Sequence, residues 1–271
     1  MATVYEATTS KFIALVEQQG YLPWQKPWQL TERQNYFSKR PYHGANVLFT
    51  MLGDIDCPFF ATFKQITEAG GQVAKGAKGV PIVFAGKREV ADEEITSKTI
   101  FRYFTVFSLR QTTGLTLPEL TTNRQRIAVN LAKLESEAFP VINYLGDAAY
   151  YSPSSDTLTL PTNIADDYEF HSCLFHELAH STGHPSRLHR ELVSQKANEE
   201  AYSFEELVAE ISAAFCMAHF GLTTTKTELN SAAYVHNWLQ KLAYQPDWLI
   251  KAASRAQKAA DYIISNLTKE N

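Results

Sequence analysis

The chain has 271 residues, 45% of them hydrophobic and 20% charged, which is enough apolar material for one large or two ordinary cores and too much for a disordered protein. Its net charge of −4 excludes a uniformly basic nucleic-acid binder, and it holds no run of 18 apolar residues with which to cross a membrane. Three widely spaced cysteines (Cys57, Cys173 and Cys216) make no disulfide framework, and the stretch after Met1 lacks the basic and apolar regions of a secretory signal, so a reduced, cytoplasmic chain is expected.

Along the chain, the pattern predicts a helix over 3–19, with Phe12, Ile13 and Val16 on one side and Gly20 as its stop. A proline-broken loop with Trp24 and Trp28 follows, then short helices over 45–52 and 62–69. Strands are expected over 81–84 and 101–109, flanking a charged turn at 87–97. The second half predicts a helix over 126–138 and three short strands over 141–144, 148–151 and 157–160. Four helices then follow, over about 168–182, 203–220, 230–243 and 246–266. Charge divides the same way. Residues 1–125 hold 14 Lys and Arg against 11 Asp and Glu, and the remainder holds 11 against 18. The expected class is α+β, with an α+β domain over 1–125 and a mainly helical domain with a small β-sheet over 126–271.

Residues 170–183 read FHSCLFHELAHSTG. In a helix, His176 and His180 stand one turn apart on one face and can reach a single ion at about 2.1 Å. Glu177, one residue on, is placed to act as general base toward the attacking water and as acid toward the leaving amine. Two histidines and an acid accept Zn²⁺ or another divalent ion such as Mn²⁺. His184 is a poor third ligand, because Gly183 and Pro185 should end the helix before it. The run SFEELVAE at 203–210 is the better source. Glu206 and Glu210 lie four residues apart on a stripe that turns apolar at Ala213, Ala214 and Met217, a costly place for carboxylates that nothing positive meets. This spacing resembles gluzincins, which implies Glu206 on the metal and Glu210 bonding the far ring nitrogen of a ligand histidine. Glu210 and Glu205 remain alternatives as ligands, and Ser203 with Glu206 also spells a capping box. Thr157–Leu160 is a candidate sheet edge for receiving an extended substrate.

In the basic half, Lys64, Lys75 and Lys78 meet only Glu68 between residues 59 and 84, and Lys26 lies between Trp24 and Trp28. Flat aromatic faces beside cations are how single strands are held, by stacking and counterion release.

Several blocks carry a family resemblance. PWQKPW at 23–28, RPYHGANVLFT at 40–50, TFKQITEAGGQVAKGAKGVPIVF at 62–84 and YFTVFSLRQTTGL at 103–115 resemble the N-terminal single-stranded-DNA-binding domain of ArdC-type antirestriction proteins. GDAAYYSPSSDTLTLP at 146–161, FHELAHSTGHPSRL at 175–188 and FEELVAEISAAF at 204–215 are similar to the zincin-like metallopeptidase domain that accompanies it. The resemblance implies a bacterial protein of plasmids or mobile elements that binds single-stranded DNA and shields it from host restriction. A host restriction enzyme or another DNA-bound protein is then a possible target, and no membrane partner is implied. The competing reading is an intracellular zinc peptidase acting on proteins without a DNA role.

Overall fold

Helix α1 (Val4–Gln19) begins at a capping box: the Thr3 hydroxyl accepts from the Glu6 amide, and the Glu6 carboxylate accepts from the Thr3 amide. It stops at Gly20, whose left-handed backbone (φ 76°) brings its N–H to the Val16 carbonyl. These residues belong to a computed structural model that describes residues 3–24, 32–88, 98–119, 127–164, 166–190, 198–222 and 232–269. After α1 come β1 (Gln34–Asn35), α2 (Ala45–Gly53), β2 (Phe59–Thr62), α3 (Phe63–Glu68) and β3 (Gln72–Val73). The long hairpin of β4 (Val80–Arg88) and β5 (Lys98–Ser108) follows, then β6 (Thr112–Thr113). Both hairpin strands run further than the apolar pattern predicts, because cross-strand pairing continues to Arg88 opposite Lys98. The main sheet has the order β1-β2-β5-β4, antiparallel except for β1 with β2, while β3 pairs with β6.

The core of this region is Phe12, Leu15 and Val16 of α1 against Leu48, Phe49, Met51 and Leu52 of α2, with Phe12 and Phe49 edge to face. Arg33 is buried beside it. Its guanidinium donates to the Thr50 hydroxyl and to the carbonyls of Thr50, Asp54, Ile55 and Cys57, so one side chain satisfies the carbonyls left over where α2 ends. Burial lowers its pKa to about 10.

The second region opens with a 3₁₀ helix (Leu131–Glu135) where an α-helix over 126–138 was expected. Two causes are visible. The Ile127 N–H bonds to the Phe220 carbonyl, and Ile127 and Leu131 stay exposed, so the apolar stripe buries too little to support a helix. Strands β7 (Val141–Tyr144), β8 (Tyr150–Ser152) and β9 (Thr157–Leu160) form a sheet of order β7-β9-β8, parallel between β7 and β9. Thr157–Leu160 is therefore the centre of the sheet and not its edge; β8 is the edge that lies along α4 (Asp167–Ser181). Then come α5 (Glu199–His219), α6 (Ala232–Tyr244) and α7 (Trp248–Thr268). Alanines 252, 253, 256, 259 and 260 are buried along α7, and their small side chains let Ser212 of α5 reach the Ala256 carbonyl.

The described residues fall into two compact units. The first holds residues 3–23, 32–119 and 232–250, and the second holds Trp24, 127–164, 166–190, 198–222 and 251–269. The first unit takes in α6 and the start of α7, which the sequence pattern assigns to the 126–271 domain. The class is α+β. Among the described residues, no helix is long and apolar enough to cross a membrane.

Replacing Arg33 by Met should lower the unfolding free energy by about 3 kcal/mol, since several buried carbonyls lose their donor at once. Urea denaturation measures this, and a change below about 1 kcal/mol would show that the carbonyls find other partners.

Candidate metal centre

Helix α4 starts at Asp166, whose carboxylate accepts from the Tyr168 and Glu169 amides. Leu174, Phe175, Leu178 and Ala179 are buried, which fixes the rotation of the helix and turns His176 and His180 to the same side. The two rings meet edge to face with their Nε2 atoms 3.2 Å apart. From α5, Glu206 places one oxygen 3.5 Å from His176 Nε2 and the other 3.4 Å from His180 Nε2. Two ligands about 2.1 Å from a tetrahedral ion stand about 3.4 Å apart, so the three donors already have the spacing of a coordination sphere. Among the described residues they are the one group of three or more His, Cys, Asp and Glu with this convergence.

Electrostatics agree. Burial alone would raise the Glu206 carboxyl, but hydrogen bonds with His176 and His180 outweigh it and hold the group far below its ordinary range. Burial alone would lower His180, but Glu205 and Glu206 raise it to about 9. Burial pushes Glu177 up, partly offset by the two histidines, and its carboxylate accepts from the Tyr151 backbone N–H. With Glu205 answered by Arg190, two carboxylates, Glu177 and Glu206, remain around the two imidazoles, an arrangement that suits a divalent cation.

Glu206 thus stands where the sequence placed it, beside both histidines. The capping-box alternative does not hold: α5 begins four residues before Ser203, with Asn198 accepting from the Ala201 amide, so Glu206 is well inside the helix. The position expected of Glu210 is filled differently. Glu205 faces His180 Nδ1 at 3.7 Å, whereas Glu210 accepts from the Trp24 indole N–H at 2.9 Å. Glu205 is also gripped by Arg190, which donates to both carboxylate oxygens at 2.6 and 3.2 Å and further to the Thr182 hydroxyl and Ala179 carbonyl. Burial would raise the Glu205 carboxyl, but His180 and Arg190 bring it below its ordinary range.

Other expected residues scatter. His184 lies past the end of α4 with its Nδ1 2.7 Å from the Ser186 hydroxyl, outside the convergence. Trp24 is only 6% exposed, which corrects its reading as an open stacking face. Lys26 and Trp28 lie outside the described residues. Lys64 is exposed and pairs with Glu68 at 3.6 Å. Lys75 and Lys78 are exposed on a loop whose Gly79 lies against β5, where a Cβ would come within 2.4 Å of Thr105.

Sequence reasoning missed Arg187 and Arg190. Arg187 donates to the Ser181 carbonyl, to both Asp156 oxygens and to the Tyr151 hydroxyl. The available signal was two arginines three residues apart directly behind an acid-rich metal helix. Tyr202, one turn before Glu206, also reaches the site. Burial and a hydrogen bond to Glu206 push its hydroxyl up to about 12.

A helix with His-Glu-x-x-His, an acid from the next long helix and a small sheet along the first define a zincin-like metallopeptidase domain, and residues 131–255 match the family of that description. Residues 2–107 match the N-terminal domain of the anti-restriction factor ArdC. The chain is 31% identical to the Mn(II)-bound crystal structure of the antirestriction ArdC protein from plasmid R388, covering 100% of both chains with a TM-score of 0.76. Against the metal-free structure it is 32% identical, covering 97% of each chain with a TM-score of 0.74. The chain belongs to the ArdC antirestriction family. It is also 32% identical, over 93% of its length, to a DNA primase TraC of Escherichia coli, and it spans 20% to 26% of the length of the two TraC relatives it matches.

Burial would raise the Asp156 carboxyl, yet the bonds from Arg187 and Tyr151 bring its pKa below the ordinary 3.8. A depressed carboxyl stabilises the fold above its unfolded pKa and loses that contribution as pH falls through the folded value. Asp156→Asn keeps a residue tolerant of the left-handed backbone there (φ 49°) and should cost about 1–3 kcal/mol at pH 7. The gap from wild type should close in melts at pH 3 and below, and equal stability at pH 7 would contradict this account.

Proposed function

We propose that this chain is an antirestriction protein with a metal-dependent peptidase site in its second unit and a single-stranded-DNA-binding surface in its first. The observation that carries the metal reading is the mutual spacing of His176, His180 and Glu206, which fits one divalent ion, Zn²⁺ or Mn²⁺. The relative from R388 has a Mn(II)-bound crystal structure, which supports a divalent ion here. When bound, the ion polarises the scissile carbonyl and acidifies water beside it.

The chain's own groups account for the rest. Glu177 is buried, raised in pKa and oriented by the Tyr151 N–H, so it can take a proton from the attacking water and later hold it for transfer. As the water oxygen bonds to the carbonyl carbon and the C–N bond breaks, that proton passes from Glu177 to the leaving nitrogen. The Tyr202 hydroxyl, protonated up to about 12 and bonded to Glu206, is the donor this reading assigns to the developing oxyanion. The β8 edge offers backbone groups beside Glu177 to an extended peptide. A host restriction enzyme or another protein on the DNA is the target this reading favours, and exposed Lys75 and Lys78 support single-stranded DNA as the partner of the first unit.

Glu177→Gln should retain about the wild-type metal content while turnover of a quenched-fluorescent peptide library falls about 10²- to 10⁴-fold. Wild-type protein that dialyses free of zinc and manganese would remove the metal reading; a variant that cleaves as well as wild type would remove the peptidase reading alone. Separately, Glu205→Gln should weaken metal affinity about 10- to 100-fold in chelator competition, because it takes the charge from behind His180. Unchanged affinity would assign Glu205 a purely structural pairing with Arg190.

A further inference from the structure

The outer end of the β4–β5 hairpin exposes rings that the fold does not use. Phe84 is 49% exposed and Phe104 46%, although their strand neighbours Ile82 and Val106 on the same face are buried. In the antiparallel register Phe84 is opposite Arg102 and Phe104 opposite Ile82, so the two rings are diagonal neighbours and meet edge to face at 5.7 Å. Arg102 is exposed between them on the same face of β5. The strands themselves, VPIVFAGKR and KTIFRYFTVFS, carry four cations and no acid, with Lys87, Arg88 and Lys98 toward the hairpin end. The acids of this region, Glu89, Asp92, Glu93 and Glu94, fall in the connecting segment outside the described residues.

Two features choose among occupants. A protein strand adding to the sheet would use the free backbone of β4, the outermost strand. There the Asn46 side chain already takes both groups of Val83, accepting from its N–H at 2.7 Å and donating to its carbonyl at 2.9 Å. The edge is closed at that point, and the face is open. A face with flat apolar rings beside the Arg102 guanidinium suits an unpaired nucleobase and its phosphate, since rings stack on any base and a cation neutralises the backbone.

The geometry points to the Phe84–Phe104 pair as a base-stacking platform for single-stranded DNA, with Arg102 on the adjacent phosphate. This rests on the DNA-binding reading above and names its surface, which is separate from buried Trp24. The test is fluorescence anisotropy of a labelled oligothymidine with the full chain, read as a function of salt. Phe84→Ala and Phe104→Ala should each weaken binding by about tenfold and leave the salt slope unchanged, while Phe104→Trp restores affinity. Arg102→Ala should reduce the slope by about 0.7, the value for one phosphate on a single strand. Both rings are exposed, so thermal melts should stay within a few degrees of wild type and separate lost binding from lost folding. If wild type binds no oligonucleotide, the DNA-binding reading itself falls. If wild type binds and both alanine variants bind equally well, that reading stands, this platform is wrong, and the face is left to a protein partner.

Discussion

The structure around α4 depends on how buried negative charge is compensated. Glu177, Glu205 and Glu206 crowd two imidazoles, and each carboxylate would cost several kcal/mol if left without a partner. Arg190 answers Glu205 through a two-pronged contact. Glu177 remains partly relieved by its raised pKa and the Tyr151 amide. Glu206 is met by the two histidine rings and the Tyr202 hydroxyl, and the raised pKa of His180 favours a proton there. Positive charge is thus wanted at one point, between Glu206 and the two Nε2 atoms. A proton on His180 and a divalent ion compete for that place, which is the linkage that couples metal binding to proton release.

The loop behind α4 organises three elements at once. A helix C-terminus carries unpaired carbonyls and the negative end of the dipole, and here two guanidinium groups meet it. Arg187 takes the Ser181 carbonyl and Arg190 the Ala179 carbonyl. Each arginine then reaches outward. Arg187 holds Asp156 at the β8–β9 turn and so sets the edge whose Tyr151 amide orients Glu177; Arg190 holds Glu205 on α5, next to Glu206. Metal helix, sheet edge and acidic helix are positioned from one short segment, which explains why His184, within that loop, turns away from the ion site toward Ser186.

The sequence made part of this legible. Helical period puts His176 and His180 on one face, and the resemblance to gluzincins, not the cost of burying an acid, chose Glu206 over Glu210. What stayed hidden depended on contacts distant in sequence. Trp24 reads as an exposed platform because nothing nearby shows that its indole N–H meets Glu210, 186 residues away. The cap of α5 at Asn198 was obscured by the alternative signal at Ser203, which made Glu206 ambiguous. The β7-β9-β8 order is not apparent in three short strands with hairpin-like spacing, and it moved the edge from β9 to β8. Ile127 and Leu131 have helical spacing, but spacing does not show whether a partner face exists to bury them.

The two units deal with polar and apolar groups in opposite ways, and that contrast bears on function. Around the metal centre, charge is taken out of water and most of it is met by Arg190, the histidine rings and the Tyr151 amide. At the end of the β4–β5 hairpin, rings without a polar handle are left about half exposed to water. Exposed apolar area is tolerated singly, but a pair of touching phenylalanines beside exposed Arg102 is a different feature. A fold selected for stability alone would carry polar residues there, as the outward positions of other half-buried strands do. Val80, Ile82 and Val106 form a buried stripe on this face, and the half-exposed rings of Phe84 and Phe104 continue it outward. They keep the apolar pattern beyond the reach of the core, so their role is decided by what comes to the face rather than by what lies under it.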